Sequence, residues 1–287
     1  MSDLIQGVRV FHPNQKGWGL GKILSVTPDN IDVFFVGTGA KRLSKSFVKL
    51  EIAEGDAAKH RLLDNLIEAS QLGSADYVTT AMAIERFLGN HPDGFSAARF
   101  IKDERDATVR AHQFCIQLLG EVELGELIAE GRYQDVCDRA RHVESLTTLL
   151  TKSEKTALYA ALDQTDNQKL FSVGLSNLLY GSDSEEDRFK GFVRVLDLME
   201  INRWPYATLF GFIRFPQDRA FIKPTVIQNV AKSLCWRINY KSEPNVRTYA
   251  AVLRLYHHVR TSLVEEGLMP RDLIDVQSFL CSVSKKS

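Results

Sequence analysis

Apolar residues alternate with polar ones in short runs from Gly7 to Leu50, and from Asp56 onward they recur at every third or fourth position. The first period marks strands and the second helices, so the pattern predicts a small β unit ahead of a long helical body. Val8, Val10 and Phe11 open a strand that His12-Pro13 ends, since proline brings no N–H to a ladder. Lys22 to Val26 resumes a strand, Pro28-Asp29-Asn30 turns it, and Ile31 to Val36 is a third, rich in β-branched and aromatic residues. After the Gly37-Thr38-Gly39 turn, Lys41-Arg42-Leu43 and Phe47 to Leu50 supply the closing segments. So many short strands joined by tight turns predict a small twisted β-barrel, with a core thin enough to need a covering helix. Gly17, Gly19 and Gly21 alternate with Trp18 and Leu20, which marks a tight bend or a closely approached backbone. A nucleotide-binding loop is excluded, because no helix and no trailing Gly or Lys follow.

In the helical body, Leu62, Leu63, Leu66 and Ile67 make one stripe of a helix predicted to reach Gln71. Ser74 is the expected N-cap of a second helix, carrying Tyr77, Val78, Met82, Ile84 and Leu88 and stopping at the loop 89–94. Phe95 to Leu119 reads as helix with an interruption at Lys102–Asp106, an exposed face or a kink. There the alternating signs of KDERD favour a solvated stretch over a metal site. Short helices follow to Asp166, with Ser153 a candidate cap, and no fixed repeat period emerges. Leu170 to Tyr180 is closed by Gly181, and the polar loop 181–187 places Ser184 and Asp187 at capping-box spacing. Later helices are expected from Trp204-Pro205, from Pro244 and from Pro270-Arg271-Asp272, with fraying from Ser282 to Ser287. The expected domains are a β-barrel over 1–52, a helical domain over 56–180 and another over 184–287, possibly continuous with the one before it.

Composition sharpens this picture only in how charge is laid out. The formal net charge is zero, yet residues 1–50 hold seven Lys/Arg against three Asp/Glu, residues 51–180 thirteen against twenty-one, and residues 181–287 sixteen against twelve. Basic ends around an acidic middle suit an anionic partner held at the ends, or a middle that docks on one of them. Cys115, Cys137, Cys235 and Cys281 form no CxxC pair, so zinc and disulfide frameworks lack support and reduced, buried thiols are expected. The opening MSDLIQG has no basic or apolar leader and no apolar run reaches membrane length, which points to a cytoplasmic location.

The order G-V-x-V-F-H-P, G-W-G-x-G-K-I, V-F-F, G-x-K-R-L and F-V-x-L resembles the Tudor-like domain at the C-terminus of UvrD/PcrA-type helicases. Related barrels occur in CarD-type RNA polymerase-binding proteins. The resemblance covers about the first fifty residues, with His12, Trp18, Gly19, Gly21, Lys41, Arg42 and Leu43 on the pattern. Asn14-Gln15-Lys16 lengthens the first turn, and nothing like a helicase precedes it. The resemblance implies contact with RNA polymerase or nucleic acid. His12, Lys16, Trp18, Lys22, Lys41, Arg42 and Lys45, with Lys49 nearby, are the residues expected to make it, as an aromatic platform in a cationic rim. Against this stand a Trp18 that merely fills the core and lysines that are only a solvated face. An open edge would also be able to add a partner's strand.

Residues 204–234 distantly resemble the helical core of helix-hairpin-helix DNA glycosylases: an aromatic-rich helix, a proline-containing loop, the extended Ala220-Phe221-Ile222 and a helix after Lys223-Pro224. The catalytic Asp of that family has no counterpart here, which would make a relative non-catalytic. Lys223, Arg237, Lys241, Arg247 and Arg254, interleaved with Trp236, Tyr240, Tyr249 and Tyr256, are candidate nucleic-acid contacts. Their bland alternative is buried aromatics beside solvated cations. His257-His258 point too far apart on a helix to share a metal. Asp272 and Asp275, with Lys223, would make a site, but a cap and an ion pair explain them more simply.

The sequence thus predicts a mainly α protein with a small N-terminal Tudor-like or SH3-like β-barrel followed by a multi-helix body. The expected role is a non-enzymatic adaptor in transcription or DNA repair, without cofactor or metal. Its barrel would grip RNA polymerase or nucleic acid, and its helical body a second protein. The alternatives are a DNA-processing protein with a degenerate or active glycosylase-like domain, and a helical interaction scaffold.

Overall fold

The structure, a computed structural model, describes residues 4–72 and 77–284. It is mainly helical, with one five-stranded antiparallel sheet near the N-terminus. Contacts divide the chain into two compact units, Met1–Arg86 with Asn229–Arg237, and Phe87–Gln228 with Ile238–Ser287. The expected cap at Ser74 and the end of the fraying tail lie outside the described residues.

In the first unit the strands are β1 (Arg9–Phe11), β2 (Gly21–Val26), β3 (Asn30–Phe35), β4 (Gly39–Ser44) and β5 (Glu51–Ile52), in the order β4-β3-β2-β1-β5. Alternation puts Val10, Ile23, Ile31, Val33 and Phe35 on one face as a buried core, with Val8, Trp18, Leu43 and Ile52 packed at its margin. No ladder joins β4 to β5 among the described residues, so the hydrogen bonding leaves an open sheet where a barrel was expected. Phe47 to Leu50 is not a closing strand: residues 45–47 turn, and pairing resumes only at Glu51. The glycine run serves close packing. A Cβ on Gly21 would stand 2.7 Å from the Phe35 ring, and Gly19 takes a φ of 68°, which side chains disfavour.

The opposite sheet face is covered by chain from this unit. Phe34 packs edge-on to Tyr77 at 4.9 Å, and the Tyr77 hydroxyl donates to the Val36 carbonyl. The helix expected to reach Gln71 is instead broken into Arg61–Asp64 and Ala69–Leu72. Between them Leu66 bridges Trp236, the Ile67 amide donates to Cys235 and the Arg237 amide donates to Asn65. Those cross-chain bonds replace the helical ones that the local pattern favoured, a tertiary override of propensity.

In the second unit helix Trp204–Arg214 is buried along its whole length to Ile213 and packs on helices Asp106–Leu118, Thr165–Tyr180 and Glu185–Leu198. The interruption before Asp106 is a π-turn over Ile101–Arg105. The cap at Lys152–Asp163 is Thr151, not Ser153, in a full capping box with Glu154. Ser184 caps Glu185–Leu198 by accepting from the Asp187 amide. The long C-terminal helix runs Val246–Glu265 and is capped by Asn245, one residue past the proline expected to start it. Cys115, Cys137 and Cys235 are buried free thiols, each pushed up to about 12 by burial and thus poor nucleophiles at neutral pH. Cys281 is only half-buried, against expectation. No helix among the described residues is long and apolar enough to cross a membrane.

Candidate docking surface on the N-terminal sheet

Trp18 lies at the end of a short 3-10 turn, Lys16–Trp18, that connects β1 to β2. Its ring rests on core Phe35 at 5.2 Å, meets the His12 ring edge-on at 4.9 Å and carries the Lys41 ammonium 5.8 Å from its centroid. The Trp18 ring is thus in contact with both the core and a cation. Trp18 combines the two roles that the sequence set against each other, wedge of the core and aromatic seat for a charge.

Lys41 and Arg42 are neighbours on β4, and strand alternation sends them to opposite faces. Arg42 donates from Nε to Asp32 Oδ1 at 2.8 Å, and Asp32 also accepts from Ser25 at 2.9 Å. The Arg42 hydrogen bond, helped by Ser25, holds the Asp32 carboxyl below its ordinary value. Lys22 belongs to neither group. Its ammonium donates to the Leu63 carbonyl at 3.1 Å, and burial with the nearby charges of Arg9 and Arg237 lowers its pKa. It is a structural tie rather than a partner contact. Lys16, Lys45 and Lys49 are exposed and, like Lys41, make no ion pair among the described residues.

One residue that the sequence did not single out belongs with this group. Phe47 is 92% exposed in the turn after β4, between Lys45 and Lys49. Among the described residues β4 is laddered on one side only, to β3. Phe47, Lys45 and Lys49 therefore follow the outer strand at the end where Ser44 pairs with Asn30, while Trp18 and Lys16 lie toward its other end, beside Gly37.

Residues 4–53 match a family model described as a protein of unknown function (DUF3553). No curated protein and no solved structure matches the chain. All five strands, the Trp18 corner and Phe47 fall inside the DUF3553 segment, and the helical unit lies beyond it.

The C-terminal candidates are divided between the two units. Arg237 belongs to the first unit, where its guanidinium lies 3.5 Å from Glu68. In the second unit Arg247 and Arg254 are exposed, seven residues apart on one helix and so on one face. Lys241 is exposed, and its carbonyl accepts from the Trp204 indole. Lys223 is half-buried just before helix Pro224–Ser233. The interleaved aromatics Trp236 and Tyr256 are buried, so they offer no stacking platform.

Asp272 and Asp275 are engaged elsewhere. Arg105 forks onto both Asp272 oxygens at 2.7 and 2.6 Å and reaches Asp275 at 2.9 Å, while Asp272 also caps the last helix through the Ile274 amide. Arg271 holds Asp275 from the other side. Arg105 was expected to face solvent with its KDERD neighbours, and the carboxylate pair draws it inward instead. With every oxygen of that pair accepting from a guanidinium, neither carboxylate is free to act as a base. No cluster of three or more His, Cys, Asp or Glu among the described residues is arranged to hold a metal ion.

Proposed function

We propose that this protein is a non-enzymatic adaptor of transcription or DNA repair whose DUF3553 segment docks on RNA polymerase. The observation that carries the reading is the exposed Phe47 between unpaired lysines, at the end of a sheet whose β4 edge has no second strand. Burying one such aromatic contributes about 1.5–3 kcal/mol, and an open edge can pair with a partner's strand while Lys41, Lys45 and Lys49 meet acidic side chains. The resemblance of this segment to Tudor-like barrels of polymerase-linked proteins supports RNA polymerase as the partner.

A second reading, direct binding of nucleic acid, draws on Lys41 and Trp18. It is the weaker of the two, because a stacked base would have to displace Lys41 from the ring. The glycosylase-like alternative is weakened because Asp272 and Asp275, its candidate carboxylates, are taken up by Arg105 and Arg271. Affinity capture with the tagged full-length protein, with and without nuclease, separates the readings. Polymerase subunits retained after nuclease support the first, loss of all partners with nuclease supports the second, and capture of neither contradicts both.

A further inference from the structure

Helices Thr165–Tyr180 and Glu185–Leu198, joined by a short connection and therefore antiparallel neighbours, leave an outward groove of about 540 Å³ between them. Its floor is apolar: Leu170 and Val173 stand 36% and 37% exposed above Phe192 and Val195. Two glycines line it, for different reasons. At Gly174 an added Cβ would come within 2.9 Å of Val195, so there the helices simply touch. At Gly191 an added Cβ would meet nothing within 4 Å, although the residue sits mid-helix. A glycine inside a helix costs about 1 kcal/mol relative to alanine, and no contact within this chain accounts for it. Gly191 keeps the groove open.

Charge around the groove is one-sided. Lys169 is turned onto the Tyr133 ring, and Arg188 donates to the Leu178 and Leu179 carbonyls, so both lining cations are occupied by the protein itself. Asp187 is held by Ser184 and Lys190. Asp166 and Asp183, at opposite ends of helix Thr165–Tyr180, make no ion pair among the described residues. We infer that the groove docks an amphipathic helix of a protein partner, about three turns long, with apolar residues at i, i+3 or i+4 and i+7 and Lys or Arg at both ends. This places a second partner on the helical unit and holds whatever the sheet binds.

The test is selection of displayed random peptides of about 14 residues on the full-length protein, followed by anisotropy titration of synthetic copies of the winners. The expected winners carry the apolar spacing with basic ends, become helical when bound, and weaken at least about tenfold on Gly191→Leu and on Asp166→Asn with Asp183→Asn. Gly191→Leu should melt no lower than the parent, since its side chain enters open space and leucine favours helix. Should it melt lower, the aspartate pair still decides. Lys41→Glu with Arg42→Glu should leave this binding unchanged, which separates it from docking by the sheet. Absence of enrichment, acidic winners, or winners that bind Gly191→Leu equally would overturn the inference. So would self-association in sedimentation that Gly191→Leu abolishes, because it would give the groove to a second copy.

Discussion

Arg105 in the helical unit and Lys41 on the sheet are both cations drawn to a neighbour, but the first is sealed in and the second stands at the surface. Arg105 closes a cluster with Asp272, Asp275 and Arg271 in which each carboxylate oxygen of the acids accepts from a guanidinium. Lys41 rests on the Trp18 ring, and Lys16, Lys45 and Lys49 make no ion pair among the described residues. Charge that is buried and saturated holds elements together, whereas charge left unsatisfied next to exposed aromatic surface is available to a partner. The contrast gives Arg105 an architectural role and underlies the proposal that the sheet docks a partner, although both sequences look equally charged.

The largest effect should come from breaking the buried side of this contrast. Arg105→Met leaves two buried carboxylates without their shared cation and should cost about 3–5 kcal/mol, read from urea unfolding, while binding by the sheet is kept. A loss below about 1 kcal/mol would mean that Arg271 alone satisfies the acids. Next comes Phe47→Ser, which removes an aromatic that touches little of its own chain. Stability should stay within about 0.5 kcal/mol, while polymerase binding weakens about tenfold or more in a titration. Equal binding would take Phe47 out of the contact.

The smallest effect belongs to Asp32. Its folded pKa lies below the ordinary 3.8, chiefly through Arg42, so its contribution to stability is complete above that value and is lost as pH falls through the lower folded one. Because the pair is at the surface, the loss should be slight, and Asp32→Asn should erase this acid-side slope in unfolding measured against pH. The same change releases Arg42 and should strengthen binding to an acidic partner a few-fold at low salt. A weaker complex would place Asp32 itself in the contact.

Much of the fold could be read from local pattern. Strands β2, β3 and β4, the proline at the start of Trp204–Arg214 and the Ser184 cap all follow from periodicity and side chains within a few residues. What escaped was set by distant chain. Leu62 to Gln71 has a good helical stripe, yet bonds to Cys235, Trp236 and Arg237 pull its middle into an extended bridge. Arg105 looked solvated because Asp272 and Asp275, its partners, are far away in sequence. For the site, the sequence shows which side chains are basic or aromatic but not which way they face. Alternation separates Lys41 from Arg42, Lys22 is spent on Leu63, and Phe47 reads as a strand residue until the turn exposes it. A phenylalanine between two lysines in a short polar stretch was the available clue.

The central claim is that the unpaired lysines of β4 and the turn after it, Lys41 and Lys45 foremost, face a partner rather than only water. Its most direct test is titration of purified RNA polymerase with the full-length protein and with Lys41→Glu, Lys45→Glu, at several salt concentrations and with matched thermal melts. Saturable, salt-weakened binding that the double variant loses by more than about tenfold, with folding intact, is the predicted result. Equal affinity of the two proteins at every salt concentration would contradict it.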